Sequence, residues 1–448
     1  MPRGMHLPHR GARIPPVPLL LLLPLLLSTS VLADGTPLTL DEAIRLAVTR
    51  NERALASGER LEAAEARVSK ARAFFFPDVQ AAGNYTRRPF ERTSTVGGQE
   101  VVLSKRDAFS SSITARQVLF DARALPLWRQ ARSDRDAASL EAAEERRLVA
   151  FEAAAAFLRT LGADQVAGAA ERRVELARKN LEDARARFEA EITSSNDVTR
   201  AELELATAER EATRARNDEE TSRLSLANLL VSDVPEALEV PQSLLATADR
   251  ERPAEEELVT RARERRLDVA AGLKRAEALH FWAKEPMNRF FPSLVARADG
   301  RWTNEGGLNA RNTTWTYGLD LSWSLFDSAT RFADRRERNA NARAADLNAR
   351  ARERAVELEV KAALASLDNA RAAVRQAAVA LEAARKNASE TTTLYREGLA
   401  NALAVADANQ SLFEADVALT NERYGLGAAV LDTWAALGLD PAGKEPLP

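Results

Sequence analysis

Histidine and cysteine supply most of the nucleophilic, acid–base and metal chemistry open to side chains near neutral pH, and this chain nearly lacks both. Its 448 residues include no cysteine and three histidines, His6, His9 and His280. His6 and His9 lie in a segment that reads as a removable leader, which leaves one imidazole, His280, for the remainder. A Ser-His-Asp triad would have to be built on His280, and a zinc site would obtain one imidazole and no thiolate. No disulfide, lipidated cysteine, metal site or cofactor is implied. These counts argue against an enzyme.

Charge removes a second class. The formal net charge is −3, and Arg3, Arg10 and Arg13 fall in the leader, so the rest of the chain carries about −6. A duplex or single strand of nucleic acid would be repelled rather than bound. The leader is 1–33: a basic start, an apolar stretch from Val17 to Leu32, and Val31-Leu32-Ala33 as the cleavage site. Pro24 and the short apolar run argue against a membrane anchor, which needs about 20 apolar residues. No other stretch could span a bilayer as a helix, so any membrane crossing must be made by strands.

Two halves of the chain repeat each other. Phe75-Phe76-Pro77 returns as Phe290-Phe291-Pro292, and Leu119-Phe120-Asp121 as Leu325-Phe326-Asp327. Phe120 lies 68 residues before Phe188, and Phe326 lies 69 before Tyr395. So long a period indicates duplication of a whole domain rather than a solenoid. The boundaries predicted are 34–240 for the first repeat, 241–440 for the second, and 441–448 for a tail.

Each copy is predicted to open with a helix, from about Leu40 to Arg72 and from about Pro253 to Lys284. Thr39 and Glu42 form a capping box at the first, and a proline ends each. Strands follow. Trp315, Tyr317, Leu319, Leu321, Trp323 and Leu325 share one face, with Thr316, Gly318, Asp320, Ser322 and Ser324 on the other. Leu294, Ala296, Ala298 and Trp302 alternate with Arg297, Asp299 and Arg301. Val79, Ala81 and Tyr85 oppose Asp78, Gln80, Asn84 and Thr86; the remaining strand, about Phe109 to Phe120, alternates less cleanly. Strands of about 10 residues, apolar on one face with aromatics near the ends, fit a transmembrane barrel. Soluble hairpins would also alternate but have no need of exposed Trp and Tyr. Four strands cannot close, because membrane barrels take at least about eight. The barrel must therefore be shared between chains.

The strands lead into long helices. From Asp327 to Glu397 there is neither Pro nor Gly, and from Asp121 to Glu191 glycine occurs only at Gly162 and Gly168. Asp121 and Asp327 stand where N-caps are expected. Some 70 residues give roughly 100 Å of helix. Shorter helices return over about Asn196–Leu230 and Asn401–Leu437. Their apolar positions are mostly alanine, which suits helices with neighbours on both sides, as in a closed cylinder.

The segment Leu38-Thr39-Leu40-Asp41-Glu42-Ala43-Ile44, the Phe-Phe-Pro corners, the two Leu-Phe-Asp strand ends and the tips at Phe188 to Leu205 and from Tyr395-Arg396-Glu397-Gly398-Leu399 carry a resemblance. In their order and duplication the chain resembles the TolC-type outer membrane efflux proteins, over nearly all of its length past the leader. The resemblance implies a mainly α fold with transmembrane β-strands: a long α-helical barrel, and four strands per chain in a shared twelve-stranded trimeric β-barrel. It implies a homotrimer embedded in outer-membrane lipid, with a tunnel reaching into the periplasm. It also implies a periplasmic adaptor and an inner-membrane pump as partners, so that substrates pass through unchanged. It places a gate at the helix tips. Tyr395 and Asp197 occupy the positions of a gating pair, and Asp407 one position of an acidic ring that would favour cations.

Two departures stand out. Glu191 replaces the glycine of the first tip, while Gly398 keeps that of the second. A basic residue that locks the tip in some members aligns with Ala400. The first weakens the expectation of adaptor contact at the first tip; the second predicts a tip that opens easily. Protein secretion through the same kind of duct is the alternative cargo, and a secreted structural coiled coil without a pore is the alternative class.

Overall fold

A computed structural model describes residues 37–96, 98–250, 252–305 and 311–444. The leader read at 1–33 lies outside the described residues. The rest is a long helical assembly carrying one four-stranded sheet, laid out as two copies of the same unit.

Each copy begins with a broken helix rather than a continuous one. In the first, α1 (Leu40–Arg50) and α2 (Glu52–Ala73) meet at Asn51. Thr39 caps α1 by accepting from the Glu42 amide at 3.2 Å, but the Glu42 carboxylate turns to Arg45 instead of closing the capping box. Asn51 is extended, caps α2 by accepting from the Arg53 amide, and donates through Nδ2 to the Leu229 carbonyl at 3.1 Å. The second copy breaks in the same way at Arg266, 215 residues on, the same interval that separates Phe75 from Phe290. The buried Arg266 guanidinium holds Asp268 and Glu359. A polar side chain bonding across to a neighbouring helix replaces the backbone bond lost at each break. Prolines do not end these helices. Helix α2 stops at Ala73, short of Pro77, and its counterpart α7 (Leu267–Trp282) stops at Trp282. Pro286 instead sits in the first turn of a short helix, Glu285–Asn288 (α8), where its missing N–H is no loss.

The membrane-type strands are β1 (Asp78–Arg87), β4 (Asp107–Phe120), β5 (Ser293–Thr303) and β6 (Thr313–Ser322), in the order β1-β4-β5-β6 and antiparallel throughout. Strand β6 ends at Ser322, so Trp323 and Leu325 lie beyond it in the turn toward the helix. The β4–β5 pairing joins the two copies side by side. A register shift between Val118 and Phe120 inserts an extra residue at Leu119 and puts Val118 and Phe120 on opposite faces. Between β1 and β4 lies an unexpected hairpin, β2 (Arg92–Val96) and β3 (Gln99–Ser104), turning at Gly98 with φ +81°.

Helix α3 (Ala124–Glu189) and helix α9 (Thr330–Arg396) run 66 and 67 residues, roughly 100 Å each. They start three residues after Asp121 and Asp327, which are therefore not N-caps. Each Asp ends a tight turn and binds the arginine that follows: Asp121 with Arg123, and Asp327 with Arg331 at 2.9 Å. Pro126 falls within the first turn of α3. The return helices are α4 (Ser195–Leu230) and α10 (Ala402–Ala436). Alanine layers form the contacts, such as Ala167 and Ala170 against Ala212 and Ala215. After the short helix α5 (Gln242–Thr247), a larger apolar cluster, including Val356, Val360 and Leu364, packs α6 (Glu255–Arg265) and α7 against α9 near the break.

Asn51→Ala removes a helix cap and strands the Leu229 carbonyl. The expected cost is about 2 kcal/mol, read as a lower denaturant midpoint for loss of helical circular dichroism.

Candidate functional site at the sheet face and the helix tips

The register sorts the sheet into two surfaces. Ala81, Ile113, Gly300 and Trp315 lie in one cross-strand row, and Val79, Ala115, Ala298 and Tyr317 in the next. On this face Trp315, Tyr317, Leu319 and Leu321 are 63–76% exposed. At Gly300 a Cβ would meet the Trp315 ring at 2.5 Å, so a side chain there would displace the ring. Tyr85 stacks near Phe109 and donates to Asp107 at 2.8 Å, placing the polar end of an aromatic group at the rim. At the opposite end the exposed Phe75, Phe76, Phe291 and Trp323 form a second aromatic level, with Trp323 Nε1 donating to the Phe290 carbonyl. The other face carries Gln80, Thr114, Asp299 and Thr316 in one row and Asp78, Arg116 and Arg297 in another. Arg297 pairs with Asp299 at 2.8 Å, and Thr114 donates to Asp299. An apolar face this exposed, bounded by two aromatic levels and backed by a polar face, matches the lipid side and the lumen side of a membrane barrel.

The two helix tips have the same backbone. Helix α3 ends with Ile192 N–H donating to the Arg187 carbonyl at 2.9 Å, and α9 with Leu399 N–H donating to the Leu394 carbonyl at 2.8 Å. Each turn needs one left-handed residue, Glu191 at φ +59° in the first and Gly398 at φ +77° in the second. A side chain at that position costs roughly 1 kcal/mol. Asn401 caps α10 by accepting from the Ala404 amide at 2.9 Å. At the first tip Thr193 donates its hydroxyl to the Asp197 carboxylate.

Tyr395 and Asp197 come into the same tip region. Burial pushes the Tyr395 phenol above its ordinary pKa; the Arg187 charge opposes this and those of Asp197 and Asp183 add to it. The ring of Tyr395 packs under the Arg187 guanidinium at 4.8 Å. Arg187 is a tip residue that the sequence reading passed over. Asp407 is exposed on α10, as are Gly398 and Glu191 on their turns. Phe188, Ile192, Leu399 and Leu403 expose apolar surface around the tips. His280 lies far along the chain from them, in α7, with Nε2 at 2.9 Å from Asp346.

The family model for outer membrane efflux proteins matches residues 43–231 and again 258–439. The chain belongs to the outer membrane efflux protein family. The fold is similar to a membrane protein from Pseudomonas aeruginosa, at 21% identity and TM-score 0.76 over 89% of this chain and 92% of that one. It is also similar to the Campylobacter jejuni CmeC outer membrane channel, at 16% identity and 0.74 over 91% and 87%. A third likeness is to the open state of the Neisseria gonorrhoeae MtrE outer membrane channel, at 18% and 0.71 over 91% of each chain. No curated protein matches the sequence. This efflux protein is an outer-membrane exit duct whose sheet lies in the membrane and whose helical tunnel extends into the periplasm. Among the described residues no helix is long and apolar enough to cross a membrane.

Above its tips the efflux protein buries polar groups between the α3–α4 pair and α10. Arg173 and Asn180 of α3, Glu204 and Glu211 of α4, and Asn409 of α10 meet there, with Arg173 paired to Glu211 and stacked on Phe413 at 4.9 Å. Arg173 Nε, Asn180 Nδ2 and Glu204 Oε1 are buried without a partner. Burial is the largest influence on the Glu204 carboxyl and holds it above the usual carboxylate range, against a hydrogen bond from Asn409 and the Arg173 charge.

Two outcomes follow from these environments. Glu191→Gly relieves the left-handed strain and should slow amide exchange at Ile192 about fivefold, the equivalent of about 1 kcal/mol. Glu204 holds its proton more tightly when packed than when free. Its contribution is therefore fully present below the ordinary value of 4.5 and is lost as pH rises through the raised value. Glu204→Gln should flatten the pH dependence of amide protection in α4 and α10 between those limits; an unchanged profile would remove Glu204 as its source.

Proposed function

We propose that three copies of this chain form the exit duct of a tripartite export system, with a periplasmic adaptor at the helix tips and an inner-membrane pump as the source of energy. The observation that carries this reading is a four-stranded sheet with a lipid-type face and two open edges, β1 and β6, fused to 100 Å helices. Open edges leave backbone groups unpaired in hydrocarbon, at a cost of several kcal/mol each, so β6 of one chain pairs with β1 of the next. Three chains give about twelve strands, above the minimum of about eight for a closed barrel. Exposed Leu347, Leu358 and Val379 on α9 supply apolar surface for contact with a neighbouring chain.

In this reading the repeats, 34–240 and 241–440 with a tail at 441–448, each supply two strands and half of a protomer's tunnel wall. The tip at Gly398 meets the adaptor, with exposed Leu399 as the apolar part of that contact, while Glu191 sets the first tip apart. Tyr395 and Asp197 form the gate, and Asp407 from three chains narrows it with negative charge that favours cations.

In planar bilayers the purified protein should give a small steady conductance, raised severalfold by Tyr395→Phe or Asp197→Ala. Cross-linking in detergent should stop at the trimer. Unchanged conductance in both variants would sink the gate assignment, and monodisperse behaviour without detergent would sink the duct.

A further inference from the structure

We infer that Arg187 is the staple holding the two tips of each protomer together, in the place of the basic lock that Ala400 lacks. It rests on the reading of the tips as the gate. Arg187 lies in the last turn of α3, yet its guanidinium reaches the last turn of α9. There Nη1 donates to the Tyr395 carbonyl at 3.2 Å, and the planar group covers the Tyr395 ring at 4.8 Å. The carbonyl lies at the end of α9, where the helix presents partial negative charge, and it also accepts from the Gly398 amide at 3.1 Å. One cation thus meets a helix end and stacks on an aromatic face. Both contacts join the first copy to the second, across 208 residues of sequence.

The surroundings fit a staple that can release. Asp183 and Arg200 line the same small cleft between the tips, as do Glu204 and Arg396. Arg187 is half-buried, so its contacts are partly desolvated while the group stays reachable by water and by a partner. A guanidinium is suited to this task and an ammonium is not, because only the planar group can stack and donate together. The tip that lacks a lock at Ala400 is therefore closed from the other side, by a residue of the first copy acting on the second.

The test uses the intact protein in detergent and in bilayers. Arg187→Ala should speed amide exchange at the α9 tip, residues 397–400, about tenfold, and Arg187→Lys should fall between the two. Tyr395→Leu removes the ring but keeps the carbonyl and should have a smaller effect, and the Arg187→Ala, Tyr395→Leu double variant should be no worse than Arg187→Ala alone, because the ring acts through Arg187. Additive effects, or no change at 397–400 in Arg187→Ala, would overturn the staple. Conductance reads the gate separately. Faster exchange with a rise in open conductance supports staple and gate together, whereas faster exchange with unaltered conductance keeps the staple and rejects the tips as the gate.

Discussion

A peptide group in hydrocarbon has no water to bond, and this single constraint organises the chain from its strands outward. All three internal pairings of the sheet are antiparallel, broken only by the register shift between Val118 and Phe120. The two outer edges are unpaired, and the cost of leaving them so in a bilayer makes an isolated protomer untenable in its own membrane. The same constraint explains why the copies sit side by side at β4–β5 and why each strand runs 10 to 14 residues. It also explains why so much of Trp315, Tyr317 and Leu321 stands bare when one protomer is viewed alone.

Below the sheet the physics changes from backbone pairing to close approach. Alanine at the helix contacts buries little area per residue, about 25 cal/mol per Å², but lets helices run close together over their whole length. Glycine does the same where a large ring must fit: a Cβ on Gly162 would press on Tyr424 at 3.2 Å. Most ion pairs along the helices are exposed and add little. Several buried arginines sit at joints. Arg147 donates to the Ala435 and Leu439 carbonyls at the end of α10, and Arg266 holds Asp268 and Glu359 at the helix break.

Much of this was legible in the residues, and the failures have physical causes. Period-two alternation exposed the strands because each face meets a different solvent. The repeat was legible because the same strand ends and tips recur at nearly constant intervals. The breaks at Asn51 and Arg266 were hidden, since neither residue is a strong breaker and each is held by a partner distant in sequence. The β2–β3 hairpin did leave a signal, Gly97-Gly98 between two β-type runs, which was overlooked. At Asp121 and Asp327 the aspartate was rightly placed near the helix start but serves the turn before it. Arg187 could not be found by pattern, because one arginine on a helix rich in them looks like any other until the neighbouring tip is in place.

The turn between β6 and α9 has a mechanical meaning. Ser328 and Ala329 both hold positive φ, and Arg331, almost fully buried, anchors the start of the helix on Asp327 and the Phe290 ring. From that pivot α9 extends as an unbroken rod, while the shorter helices beside it are jointed. A tilt of about 2° about the pivot sweeps the far end of a 100 Å rod through roughly 3 Å. The rod thus has the geometry of a lever whose fulcrum lies at the edge of the sheet. A strain too small to disturb the strands becomes, at the far end, a displacement as large as the width of a water molecule.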